Sequence, residues 1–451
     1  MKKRSTLLVL LFSGMICQAS FAQTTPAHAL KNVTLHSADG SVTQFATIVW
    51  RDGVIEAVGN NATIPFDAFV IDGGDSLHVY PGFIDGYATW GSPELPKDLK
   101  PLDEPGNPPY DRAGIQPERK PSELLDTDKA FEAGMKAGFT TAALGLKGFM
   151  LPGGVEVFYL SPENTRDGLF KETIGLAGSF REAPGGWGNG AYPSTMMGVM
   201  AKFRQVMFEA TALQEHMNYY RENTEMPAPD RDQVLEAMFP LVNKSAPFYF
   251  EVDSKEDIER LFMLQDQFGF NTVIVSGKEA YAKSDELKRR NIPVLASIDF
   301  TEMPKWYAKT KKDEDSEKEE DSDEEEKSEK EEVVTDEEQA YRDRQIKAWK
   351  DEVTNIKKLI DAGVNVGYSS SGMDLKDLTK KLEILLDEGG LTEKDVVELM
   401  TTRTAQIIGV DRSFGNVTKG KNASFTVFDK PMSEKKAKVL QSISNGVIHE
   451  F

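Results

Sequence analysis

Apolar positions along this chain fall into two regimes. Between residues 27 and 79 they form short runs, at 28–35, 46–50, 54–58, 70–72 and 78–80, each bounded by turn residues. Runs of this length predict strands, and Asp52-Gly53 between the second and third predicts a tight hairpin. From about Asp126 the pattern alternates between apolar runs and helical periodicity, as βα units around a parallel sheet do. The strands predicted there cover 140–146, 174–179, 247–252, 272–276, 292–298 and 364–368. A helix over 255–268 places Ile258, Leu261, Phe262 and Phe268 on one face. It has Ser254 and Asp257 as its start signal and Gly269 as its stop. Residues 341–362 repeat the pattern with Ile346, Trp349, Val353, Ile356 and Ile360, ending at Gly363.

Further helices are predicted near 374–387 and 394–408, and strands return at 424–428, 439–442 and 446–450. Residues 91–123, rich in Pro, Gly, Asp and Glu, read as a long loop. The two strand-rich ends flank the βα middle, so they are expected to fold together. The fold class is α/β: a (β/α)8 barrel over 81–410 with a β-sandwich side domain made from 23–80 and 411–451.

Charge changes this picture at one place. The 451 residues carry a formal net charge of −20, which speaks against non-specific nucleic-acid binding. Segment 309–338 holds 17 Asp and Glu against 6 Lys, a net of −11. With almost no apolar residues it reads as a disordered acidic insertion, either a solvated loop or a cation- or partner-binding tether. At the N-terminus, Lys2, Lys3 and Arg4 precede an apolar run, and Ala19-Ser20-Phe21-Ala22 offers small residues for cleavage. Residues 1–22 therefore read as a secretory signal peptide. The run is about half of the roughly 20 residues that span a bilayer. Export to the periplasm or the medium is expected, with no membrane span in the mature chain. The single cysteine, Cys17, would leave with the signal.

Several segments resemble the amidohydrolase superfamily. Gly53–Gly59, Pro65, Ile71-Asp72 and Val79-Tyr80-Pro81-Gly82-Phe83-Ile84-Asp85 are similar to its entrance from a small β domain into the first barrel strand. Leu391-Thr392-Glu393, Thr402-Arg403-Thr404-Ala405, Lys419-Gly420-Lys421-Asn422-Ala423 and Val427-Phe428-Asp429 resemble its closing segment. Tyr192-Pro193-Ser194, Met197-Gly198 and Glu279-Ala280-Tyr281 are similar to imidazolonepropionase-like exported members. The resemblance implies metal-dependent hydrolysis of C–N bonds, with one or two divalent ions such as zinc activating water.

The family's ligand positions are substituted here. Its His-x-His pair falls on Tyr87 and Thr89, and a later histidine on Glu251. Its strand-eight aspartate falls in the run 369–371, nearest Ser371, with Asp374 close by; a further histidine position falls on Lys278. The chain's five histidines (His28, His36, His78, His216 and His449) form no His-x-His or His-Glu-x-x-His pattern. No metal cofactor is therefore expected.

Two substitutes are conceivable. Asp85, Glu251 and Asp374 could make an oxygen-only site for Mg²⁺ or Ca²⁺. Alternatively Glu251 pairs with Lys278, whose charge stands in for the metal and whose coupling could move protons. The glycine-rich run 185–190, with Trp187 and Tyr192, could lid the barrel mouth and stack on a flat ligand. Asp85, Trp187 and Tyr192 are thus ligand-binding candidates, and Glu251 and Lys278 the catalytic ones. Two functions follow. One is an inactive or altered member that binds a small ligand, an active paralogue or a second copy. The other is a hydrolase of cyclic amides or dipeptides using an atypical site.

Overall fold

A computed structural model describes residues 25–96, 99–160, 168–184, 191–308 and 335–451. Residues 1–22, read above as a signal peptide, Trp187, the run 185–190 and most of segment 309–338 lie outside the described residues.

The N-terminal strands form as their sequence predicts. β1 (His28–His36) pairs antiparallel with β2 (Val42–Arg51), and β2 with β3 (Val54–Gly59). Asp52 and Gly53 connect them with φ of 48° and 75°, the paired positive values of a type I′ hairpin turn. β1 is long enough to be shared. Its first half pairs with β4 (Phe69–Asp72) and its second with β5 (His78–Pro81), both parallel. β5 then pairs with β14 (Phe425–Phe428), which leads through β15 (Val439–Ser444) to β16 (Val447–Glu450). N- and C-terminal segments thus build one eight-stranded sheet that forks at β1, where two stacked sheets were expected.

The second eight-stranded sheet runs in chain order from β6 (Phe83–Ala88) through β7 (Phe139–Leu144), β8 (Gly153–Tyr159), β9 (Leu169–Ser179), β10 (Phe248–Val252), β11 (Thr272–Ser276) and β12 (Val294–Ser297) to β13 (Val366–Ser369). Seven strands share one direction. β8, which the sequence pattern did not single out, runs antiparallel to both neighbours. Its connections, 145–152 and 160–168, are shorter than the dozen or so residues a parallel crossover needs.

The ends of this sheet meet. Ser369 Oγ donates to the Tyr87 carbonyl at 2.7 Å, and a Cβ on Gly86 would lie 2.7 Å from the Tyr368 carbonyl oxygen and 2.4 Å from Leu295 Cδ2. Only glycine allows that approach. The other end of the parallel strands faces the composite sheet, where Thr426 Oγ1 donates to the Gly138 carbonyl and Ser444 Oγ to that of Thr140, at 2.8 and 2.9 Å.

The helix Lys255–Phe268 has the bounds the sequence predicts, with Ser254 accepting from the Asp257 N–H and Gly269 in the left-handed region. The helix predicted over 341–362 is two, Asp336–Val353 and Asn355–Ala362. At the break, buried Asn355 donates to the Gly277 carbonyl and accepts from the Tyr281 N–H, both at 2.9 Å. This binds the second helix to the turn after β11. The first helix also claims Asp336–Glu338 from the expected insertion, because Thr335 caps it and three acidic residues suit its positive N-terminal end. Among the described residues no helix is long and apolar enough to cross a membrane.

Candidate functional site

The strands of the second sheet have apolar side chains on both faces, the condition for burying them between layers. Their shared direction brings their carboxyl ends to one side. There Tyr87 on β6 and Thr89 just after it, the loop 146–149 after β7, Ser179 at the end of β9 and Arg181 beyond it, Glu251 on β10 and Ser371 after β13 line a cavity of about 190 Å³. Four positions at which the resemblance substitutes a metal ligand, namely Tyr87, Thr89, Glu251 and Ser371, therefore converge on one cleft.

Their chemistry differs from a metal centre. Glu251 Oε2 lies 3.2 Å from Arg181 Nη2, and its Oε1 accepts from Ser371 Oγ at 2.8 Å. Tyr87 is buried, stacks on Tyr249 and has its phenol pushed well up by burial and then by the Glu251 charge, with Arg181 opposing. It stays protonated at neutral pH and can donate a hydrogen bond. A zinc-type ion wants imidazole, thiolate or free carboxylate donors. This cleft offers two neutral hydroxyl side chains at the His-x-His positions and one carboxylate already held by a guanidinium. Among the described residues no three His, Cys, Asp or Glu side chains gather so as to hold a metal. The donor set does not fit the family's ion.

Other candidates lie elsewhere. Lys278 pairs with Asp299 at 3.2 Å and lines neighbouring grooves, so the expected Glu251–Lys278 pair is corrected to Glu251–Arg181 and Lys278–Asp299. The turn at Ser276-Gly277, both at positive φ, carries Lys278 away from the cleft. Asp374 is exposed and caps a short 3₁₀ turn through the Lys376 N–H. Tyr192 is half-buried, donates its N–H to the Pro105 carbonyl and has its ring beside Gly198; it is not among the cleft's lining residues. His36 and His78 meet each other at 2.9 Å in the composite sheet, far in sequence from any cleft residue.

Asp85 is fully buried beneath the cleft, not part of its lining. Its carboxyl accepts from the Tyr87 N–H at 3.1 Å and from the Ser370 N–H at 3.2 Å, which joins β6 to β13. Burial pushes it up to about 7, against the pull of its bonds to Ser370 and Tyr87. The oxygen-only trio of Asp85, Glu251 and Asp374 is thus not brought together.

Two cleft residues escaped the sequence analysis, Arg181 and Lys147. Each lies two or three residues beyond an apolar strand, where side chains of parallel strands converge. That position was the available signal.

Residues 270–449 match the amidohydrolase family model. They carry the amidohydrolase pattern. The match begins just before β11 and runs into β16, so it covers both the later parallel strands and the return to the composite sheet. The resemblance drawn from the sequence is borne out there. Among solved structures, an amidohydrolase from Thermotoga maritima MSB8 aligns over 94% of this chain and 100% of its own at 20% identity, with a TM-score of 0.73. A second amidohydrolase aligns over 94% and 99% at 13% identity with a TM-score of 0.52. A prolidase complexed with N-methylphosphonate-L-proline aligns over the same shares at 13% identity and 0.50. At such identities the likeness concerns the amidohydrolase fold. No curated protein matches the chain.

Proposed function

We propose that this chain is an exported, catalytically altered amidohydrolase relative that binds a small ligand in the cleft without the family's metal. Its second sheet closes as a (β/α)8-type barrel in which one strand is reversed, with the forked sheet as side domain. Residues 1–22 direct it out of the cytoplasm and are removed.

One observation carries the reading. The converging ligand positions hold a protein cation, Arg181, against Glu251 at 3.2 Å. A guanidinium stays charged at any physiological pH, so it satisfies Glu251 where a metal would otherwise be needed. The alternative hydrolase, working through coupled Glu251 and Lys278, has no geometric support, because each of these has a different partner.

Elemental analysis of the mature protein, dialysed against trace Zn²⁺, Mn²⁺ and Fe²⁺, tests this. Less than about a tenth of an equivalent of every metal is expected. One or more equivalents, lost on Glu251→Ala, would overturn the reading and direct attention to hydrolysis of cyclic amides and dipeptides.

A further inference from the structure

Resting on that metal-free reading of the cleft, we propose that its ligand is a small carboxylate of about amino-acid size, held by Arg181 with Lys147 as a second cation.

Charge points this way first. The cleft is lined by two cations and one carboxylate, and that carboxylate is already satisfied. Arg181 is about half-exposed, its side chain 53% accessible. Among the described residues its guanidinium makes the single ion pair to Glu251, which leaves most of its five donors open. A planar fork of this kind matches the two oxygens of a carboxylate. Among the described residues the Lys147 ammonium, across the cleft, pairs with the exposed Glu94 at 3.2 Å, a pair that contributes little.

Size and shape narrow the class. About 190 Å³ falls below the ~300 Å³ at which drug-sized sites begin. Leu146, Phe149 and Pro152 give the cleft an apolar wall beside its cations, which suits a short hydrocarbon or acyl body.

Glu251 then acts as the internal competitor. A ligand carboxylate on the open guanidinium donors shares the Arg181 charge with Glu251 and is repelled by that anion. The Ser371 hydroxyl, 2.8 Å from Oε1, remains with Glu251 so that it is not stranded. Removing the Glu251 charge should therefore tighten binding, an effect that a purely structural ion pair would not produce.

The test is calorimetric titration of chelator-treated mature protein with butyrate and N-acetyl-L-alanine, beside butyramide and N-acetyl-L-alaninamide. At least one carboxylate is expected to saturate below about 10 mM and its amide to bind about tenfold more weakly or worse, 1.4 kcal/mol or more. Arg181→Gln should lose about tenfold, Arg181→Lys should fall between, and Lys147→Gln should lose less. Glu251→Gln should gain several-fold. Equal binding of acid and amide, full affinity in Arg181→Gln, or no saturation by any carboxylate would overturn the inference. Metal content is measured on untreated protein. Stoichiometric metal there would sink the metal-free reading, while the Arg181→Gln comparison on chelated protein decides the carboxylate separately.

Discussion

Two carboxylates near the ends of the parallel strands lead different lives. Asp85 on β6 is fully buried, has no cation within its bonds and is held by backbone N–H groups of Tyr87 and Ser370. Glu251 on β10 opens to the cleft and faces Arg181 and Ser371. The first joins the first and last strands of the sheet; the second is placed where a ligand can reach it. A strand-end carboxylate therefore does not announce its role by position. What surrounds it decides, because burial without a counter-charge favours the neutral acid and a neighbouring guanidinium favours the anion.

The comparison breaks most visibly in pH dependence. Asp85 rises from 3.8 to about 7 on folding. Well below pH 3.8 the group is neutral in both the folded and the unfolded chain. As pH climbs, the unfolded chain releases its proton first, so stability falls up to and through about pH 7. The full displacement corresponds to about 4 kcal/mol. Asp85→Asn should flatten urea midpoints across pH 4–7, whereas the unaltered protein weakens steadily. A slope that survives in the variant would assign the effect to other groups.

Asp85→Ala removes the acceptor altogether and leaves two buried backbone donors, each costing about 1–3 kcal/mol. A loss of about 3 kcal/mol at pH 5 is expected by chemical denaturation. An unchanged midpoint would mean that the strand ends are held by Ser369 alone.

In the cleft the expected effects are smaller and fall on binding. A Cβ at Gly145 would sit 2.7 Å from Tyr87 Oη, so Gly145→Ala should shift that ring at about 1–3 kcal/mol. It should also weaken any ligand of the cleft, as titration would reveal. Smallest is Ser371→Ala, which deletes one donor to a Glu251 that keeps Arg181. About 1 kcal/mol or less is expected, readable as a shift of a few degrees or less in Tm. A loss as large as that of Asp85→Ala would show that the two carboxylates are equivalent after all.

Much of the fold was legible because it depends on local physics. The bounds of Lys255–Phe268 follow from a cap, an apolar face and a glycine, and the hairpin at Asp52-Gly53 from the backbone freedom of its residues. The reversed β8 was missed because two glycines open it and Glu156 interrupts its apolar run. The direction of such a strand is settled by the lengths of the loops around it. Half of the candidate site was likewise visible: Tyr87, Thr89, Glu251 and Ser371 were marked by resemblance and do meet. The partner of Glu251 was not. Lys278 looked the natural choice, yet Arg181 takes the place because β9 neighbours β10 and points the residues that follow it into the cleft.

By itself, then, the sequence determined the bounds of Lys255–Phe268 and the hairpin at Asp52-Gly53, since these depend on residues close together in the chain. Tertiary structure alone decided that the N- and C-terminal strands form one forked sheet and not two stacked ones, that Asp85 on β6 is buried against Ser370 after β13, and that a guanidinium faces Glu251. Those outcomes depend on which distant segments become neighbours, and an ion pair or a buried acid exists only once they have.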